Sequence, residues 1–91
     1  MIKIYLNQIA QIYNLLLEIF EEEDSDYVDY RVIKNKERSI DRTLLKITNN
    51  KEKQIEIYNI IRKDLFNFED NTWKSLCDDL RSKGYEITDG K

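Results

Sequence analysis

Apolar residues in the first quarter of the chain recur at Ile2, Leu6, Ile9, Tyr13, Leu16 and Phe20, spacings of four and three that wind onto one side of an α-helix. Tyr5, Ile12 and Ile19 repeat every seven residues beside that row. The stripe is therefore wider than a coiled-coil seam, which predicts a long helix facing several elements at once. Its polar side is Lys3, Asn7, Gln11, Asn14 and Glu18. On one flank Ile4 and Leu15 stand three turns apart along one line, and they read as a small apolar contact strip for a partner or a second copy.

From residue 27 to 33 the period changes. Val28, Tyr30 and Val32 alternate with Asp29 and Arg31, the signature of a strand. A strand needs a neighbour for its backbone groups, and residues 43–48, with Leu45 and Ile47 alternating among β-branched residues, are the nearest candidate. The two predict an antiparallel hairpin closed by a loop over 35–39. A competing pattern runs through the same stretch, with Ser39 capping a helix in which Ile40, Leu44 and Ile47 share a face.

Asn50 is placed to cap a helix over residues 51–68, with Ile57, Tyr58, Ile61, Leu65 and Phe68 inside and Glu52, Lys53, Glu56, Asn59 and Lys63 outside. Asp70 or Asn71 starts a last helix whose stripe is Trp73, Leu76, Cys77 and Leu80. Gly84 at C′ sets Tyr85 opposite Leu80, the apolar pair that accompanies a Schellman stop. Residues 86–88 add a possible short final strand before a frayed tail at 89–91. The expected fold is thus α+β: a long N-terminal helix, a two-stranded antiparallel hairpin and two C-terminal helices. An all-α bundle of four to five helices is the alternative. The terminal helix stop is generic to many small domains and carries no family resemblance.

Ninety-one residues predict a single compact domain over 1–91 that buries about 60% of its unfolded surface, enough for one modest core. The content of 41% apolar residues is too high for disorder. The longest apolar run is Leu15 to Leu17, and the start lacks a signal-peptide arrangement, so a cytoplasmic protein with no membrane contact is expected. Ile, Lys, Asn and Tyr supply 37 of the 91 residues, with one Ala and no Pro, a bias that AT-rich codons produce and that short genes of bacterial mobile elements share.

The chemistry available is narrow. Without histidine the usual neutral-pH acid-base group is missing, and a cysteine or serine nucleophile lacks its usual partner. Cys77 sits on an apolar stripe and reads as a core residue, with no basic neighbour at helical spacing to lower its pKa. Asp78 and Asp79 are adjacent, so on a helix they diverge by about 100° and form no dyad. Both glycines lie in the last eight residues, which leaves no phosphate loop. Asp24, Asp26 and Asp29 lack the glycine and closing glutamate of a calcium loop. No enzyme, no cofactor and no metal site are expected.

Charge is segregated instead. Glu18, Glu21, Glu22, Glu23, Asp24, Asp26 and Asp29 place seven acids in twelve residues with no base among them. The first helix is predicted to run into Glu21, Glu22, Glu23 and Asp24, and each acid in its last turn costs roughly 0.3–1 kcal/mol. Residues 31–53 then carry eight bases against three acids. The bland explanation is that the two segments face each other. The functional expectation is a non-enzymatic protein-binding module whose acidic edge occludes a partner's basic or nucleic-acid-binding surface. The composition suits a mobile-element inhibitor, such as a phage anti-defence protein of the anti-CRISPR kind or a toxin immunity protein. The rival is a nucleic-acid-binding regulator using Arg31, Lys34, Lys36, Arg38 and Arg42, with Tyr27 and Tyr30 for stacking, against which stands a net charge of −3.

Overall fold

The chain runs β1 (Lys3–Tyr5), α1 (Leu6–Glu23), α2 (Tyr30–Ile47), α3 (Lys51–Leu65), α4 (Thr72–Ser82) and β2 (Glu86–Thr88) in a computed structural model that describes residues 2–65 and 72–89. The wide stripe of α1 makes it the shared wall of the core. Ile9, Ile12, Leu16 and Ile19 are its buried line, and the helix packs against both α2 and α3. The line falls between the two predicted rows, leaving Leu6, Tyr13 and Phe20 half-buried. Ile33, Ile40 and Leu44 of α2, Ile57 and Ile61 of α3, and Leu76, Cys77 and Leu80 of α4 complete the core with Ile4 and Tyr85.

The antiparallel hairpin does not form. Residues 30–47 are one helix, and Asp29 caps it, its Oδ1 accepting the Arg31 N–H at 3.0 Å. The physical reason is a choice between periods. Ile33, Ile40, Leu44 and Ile47 supply a four-turn apolar face that α1 can cover, and a helix satisfies its own backbone whereas an isolated hairpin half-satisfies it. The alternation at 28–32 is too short to compete. Ser39 lies inside the helix and not at its cap. Its hydroxyl donates to Asn35 O at 3.2 Å, as that of buried Thr43 donates to Ser39 O at 3.0 Å, so neither polar group is orphaned. Leu45, expected to alternate inward, is 57% exposed.

The strand pairing that does exist joins opposite ends of the sequence. β1 lies parallel to β2 with Lys3 opposite Glu86, Ile4 opposite Ile87 and Tyr5 opposite Thr88. A parallel pair needs a long crossover, and the four helices together provide it. The first helix accordingly begins at Leu6, because the alternation Ile2, Lys3, Ile4, Tyr5 pairs with β2 before helical periodicity takes over. Tyr5 marks the switch, its N–H donating to Gln8 Oε1 at 3.0 Å.

The caps expected of the two C-terminal helices form where they fall on described residues, whereas Lys53 and Glu56, expected on the outer face of α3, are half-buried. Asn50 Oδ1 accepts the N–H groups of Glu52 and Lys53 at 3.0 and 3.3 Å and caps α3. At the end of α4, Tyr85 N–H donates to Leu80 O and Gly84 N–H to Arg81 O, the two bonds of a Schellman stop, with Gly84 at φ +96°. The short final strand is β2. Phe68, the Asp70 or Asn71 cap, the side chains of Leu65 and Trp73, and the last two residues of the tail lie outside what is described.

Candidate functional site

The acidic edge divides into two sets once α2 is a helix. Glu22 leaves the last turn of α1 and reaches across the turn to α2, where its Oε1 accepts the Asp29 N–H at 2.9 Å. Asp29 is the cap of α2, and Glu18 forms an ion pair with Lys36 between the two helices. These three carboxylates are structural. Ser25 tightens the same turn, its Oγ lying 2.7 Å from Glu22 O and 3.0 Å from Tyr27 O. The other four, Glu21, Glu23, Asp24 and Asp26, are exposed and have no side-chain partner among the described residues. Arg62 of α3 borders the shallow depression lined by Phe20, Glu21, Glu23 and Asp24.

This arrangement changes the electrostatic sense of the cluster. Asp24, Asp26 and Asp29 follow the carbonyl end of α1 but also precede the amide end of α2, where negative charge is favourable. In the last turn of α1, Glu21 and Glu23 remain as acids that form no ion pair with a described base, with Arg62 bordering the same depression. Glu22→Gln is therefore expected to lower stability by about 1 kcal/mol, the scale of a lost charge-assisted cap. Glu21→Gln with Glu23→Gln is expected to raise it by roughly 0.6–2 kcal/mol at low salt. Urea midpoints of the two variants should move in opposite directions; movement in the same direction would refute the division.

The basic residues divide likewise. Lys36 is half-buried and taken by exposed Glu18, a solvent-accessible pair worth roughly 0.2–1 kcal/mol. Arg31 lies 3.8 Å from Asp29 with its side chain 94% exposed. Lys34, Arg38 and Arg42 are exposed and make no ion pair with a described carboxylate. The two charged segments thus meet at few points and do not neutralise each other. Tyr27 and Tyr30 are 89% and 72% exposed but stand at the acidic end, Tyr30 bordering a depression that Glu23 and Glu37 also line.

The apolar contact strip does not exist. Ile4 is fully buried because β1 turns it into the core opposite Ile87, and Leu15 is half-buried beside Val32, Asn35, Lys36 and Ser39 between α1 and α2. Cys77 is buried, and burial pushes its thiol pKa up. Arg81, four residues on, pulls the other way, so a basic neighbour at helical spacing is present after all, but burial outweighs it. Asp78 is engaged by Arg81 Nη1 at 3.4 Å.

Two features had no clear sequence signal. A depression of about 230 Å³ opens between α2 and α3, lined by Ile40, Leu44, Ile55 and Tyr58 with Glu37, Asp41, Lys51 and Gln54. It exists only because 30–47 is helical, and it is smaller than the roughly 300–1,000 Å³ of small-molecule sites. Near the C-terminal strand, buried Tyr85 donates its hydroxyl to Glu56 Oε1 at 2.6 Å while Lys53 Nζ stands 5.8 Å from the ring centroid. Burial and the carboxylate push the Tyr85 pKa above its usual value, which fixes the phenol as the donor. Among the described residues no three acid or thiol groups converge to hold a metal ion, and no helix is long and apolar enough to cross a membrane. No family model, no curated protein and no solved structure matches the chain.

Proposed function

We propose that this protein is a non-enzymatic protein-binding module that docks through the acidic end of α1, as an inhibitor or antagonist would when it occludes a basic or nucleic-acid-binding surface. The observation that carries the reading is the separation within the cluster. Glu18, Glu22 and Asp29 are used by the fold, whereas Glu21, Glu23, Asp24 and Asp26 stay exposed at one end with no side-chain partner among the described residues. Two of those four sit where a helix terminus disfavours them, so the fold's own electrostatics do not account for them. The AT-rich bias in composition is consistent with a mobile-element source, and a phage anti-defence or toxin immunity role fits both.

The test compares the protein with a variant carrying Glu21→Gln, Glu23→Gln, Asp24→Asn and Asp26→Asn, which spares the three structural acids. Affinity capture from cells of the source organism identifies the partner. Association is then timed at low and high ionic strength, because exposed charges act mainly on the on-rate and are screened by salt. The expected result is a basic protein partner whose association slows in the variant at low salt, with the difference fading at high salt. Equal association rates for both proteins would overturn the proposal.

A further inference from the structure

The helix that replaces the expected hairpin presents one basic line to solvent. At 100° per residue, Arg31, Lys34, Arg38, Arg42 and Lys46 fall within a sector of about 120° on α2. The sector lies opposite Ile33, Ile40 and Leu44, the face buried against the core. All five cations are exposed, and among the described residues only Arg31 lies within 4 Å of a carboxylate. Glu37 and Asp41 lie to one side, toward the depression shared with α3. The line extends for about 22 Å, fifteen steps of roughly 1.5 Å.

We propose that this face of α2 is a docking surface for the phosphate backbone of duplex DNA. A straight, rigid row of cations matches a straight, rigid polyanion, and a DNA duplex offers one charge per about 1.7 Å of its axis, a dense array for such a row. A single strand would need stacking platforms along the line. The exposed aromatics are instead at the acidic end, where Asp24 and Asp26 repel phosphate. An anionic membrane would need an apolar face to insert, and the apolar face of α2 is already spent on the core, leaving Tyr30 at its first residue and Leu45 near its end as two separated exposed side chains. The contact is independent of the acidic end and is sequence-blind, made by charge without reading base edges.

Fluorescence anisotropy of a labelled 20-base-pair duplex, titrated with the full chain between 50 and 200 mM salt, tests it. About four to five phosphate contacts predict a log–log salt slope near −4, hence an affinity loss of about 250-fold across that range. Arg38→Gln with Arg42→Gln should reduce the slope by about 2. Lys36→Gln, which removes the cation already paired with Glu18, should leave the slope unchanged. The urea midpoint of the double variant should match the parent, since both side chains are exposed. Four results would overturn the proposal: no binding at 50 mM salt, a slope indifferent to Arg38 and Arg42, equal sensitivity to Lys36→Gln, or tighter binding to a single strand, to anionic vesicles or to polyglutamate than to the duplex.

Discussion

Leu16→Ala is expected to lower the unfolding free energy by 2–5 kcal/mol, the range for deleting a buried leucine into a cavity that only partly relaxes. Leu16 is 1% exposed and sits in the middle of the α1 line, where that helix meets α2 and α3. At urea slopes of about 1–2 kcal/mol per molar, the midpoint would fall by roughly 1–5 M. A domain of this size holds only about 5–15 kcal/mol, so the variant approaches the limit of folding. The neighbouring Leu15→Ala is the internal control. Leu15 is half-buried over the α1–α2 seam, and its loss should cost about 1 kcal/mol. Urea melts followed by far-ultraviolet circular dichroism separate the two, and equal costs would mean that the buried line of α1 is misplaced.

Ile4→Ala is expected to cost 2–4 kcal/mol, although its side chain belongs to a strand of only three residues. Ile4 is fully buried, and among the described residues the strand it anchors pairs with β2 alone. The loss therefore reaches the other end of the sequence. The Glu86 N–H, which donates to Ile2 O at 3.0 Å, should lose its hydrogen-exchange protection in the variant before the helices do. A double-mutant cycle with Ile87→Ala should show a coupling of about 0.5–1 kcal/mol, as for residues in register on adjacent strands. Additive costs, with unchanged exchange at Glu86, would refute the pairing.

Ile4 also shows how the sequence misleads. Placed on a helix it falls on the flank and reads as surface; placed on a strand it points inward. The alternation of Ile2 and Ile4 with Lys3 and Tyr5 was visible, but four residues of alternation cannot outweigh an eighteen-residue helical stripe that begins immediately after. The same bias acted in reverse at 28–32, where a brief alternation masked the longer run Ile33, Ile40, Leu44 and Ile47. Local caps were legible because each is a single chemical event: Asn50 for α3, Gly84 for the end of α4. Asp29 reads as an acid in a cluster, since its role as a cap depends on where α2 begins. The division of the charges was not legible either. It depends on Glu22 reaching Asp29 across a turn and on Glu18 meeting Lys36 from another helix, and neither distance is set by sequence spacing alone.

The pairing of β1 with β2 also governs the order of events in time. Every helix can form from residues within about twenty positions of one another, whereas Lys3 and Glu86 meet only after more than 80 intervening residues have been gathered in. Loop-closure entropy makes that contact late, and a contact made after the transition state slows unfolding without speeding folding. The three-residue sheet thus acts as a latch. Variants at Ile4 or Ile87 should therefore steepen the escape from the folded state while the helical core still assembles at its parental rate.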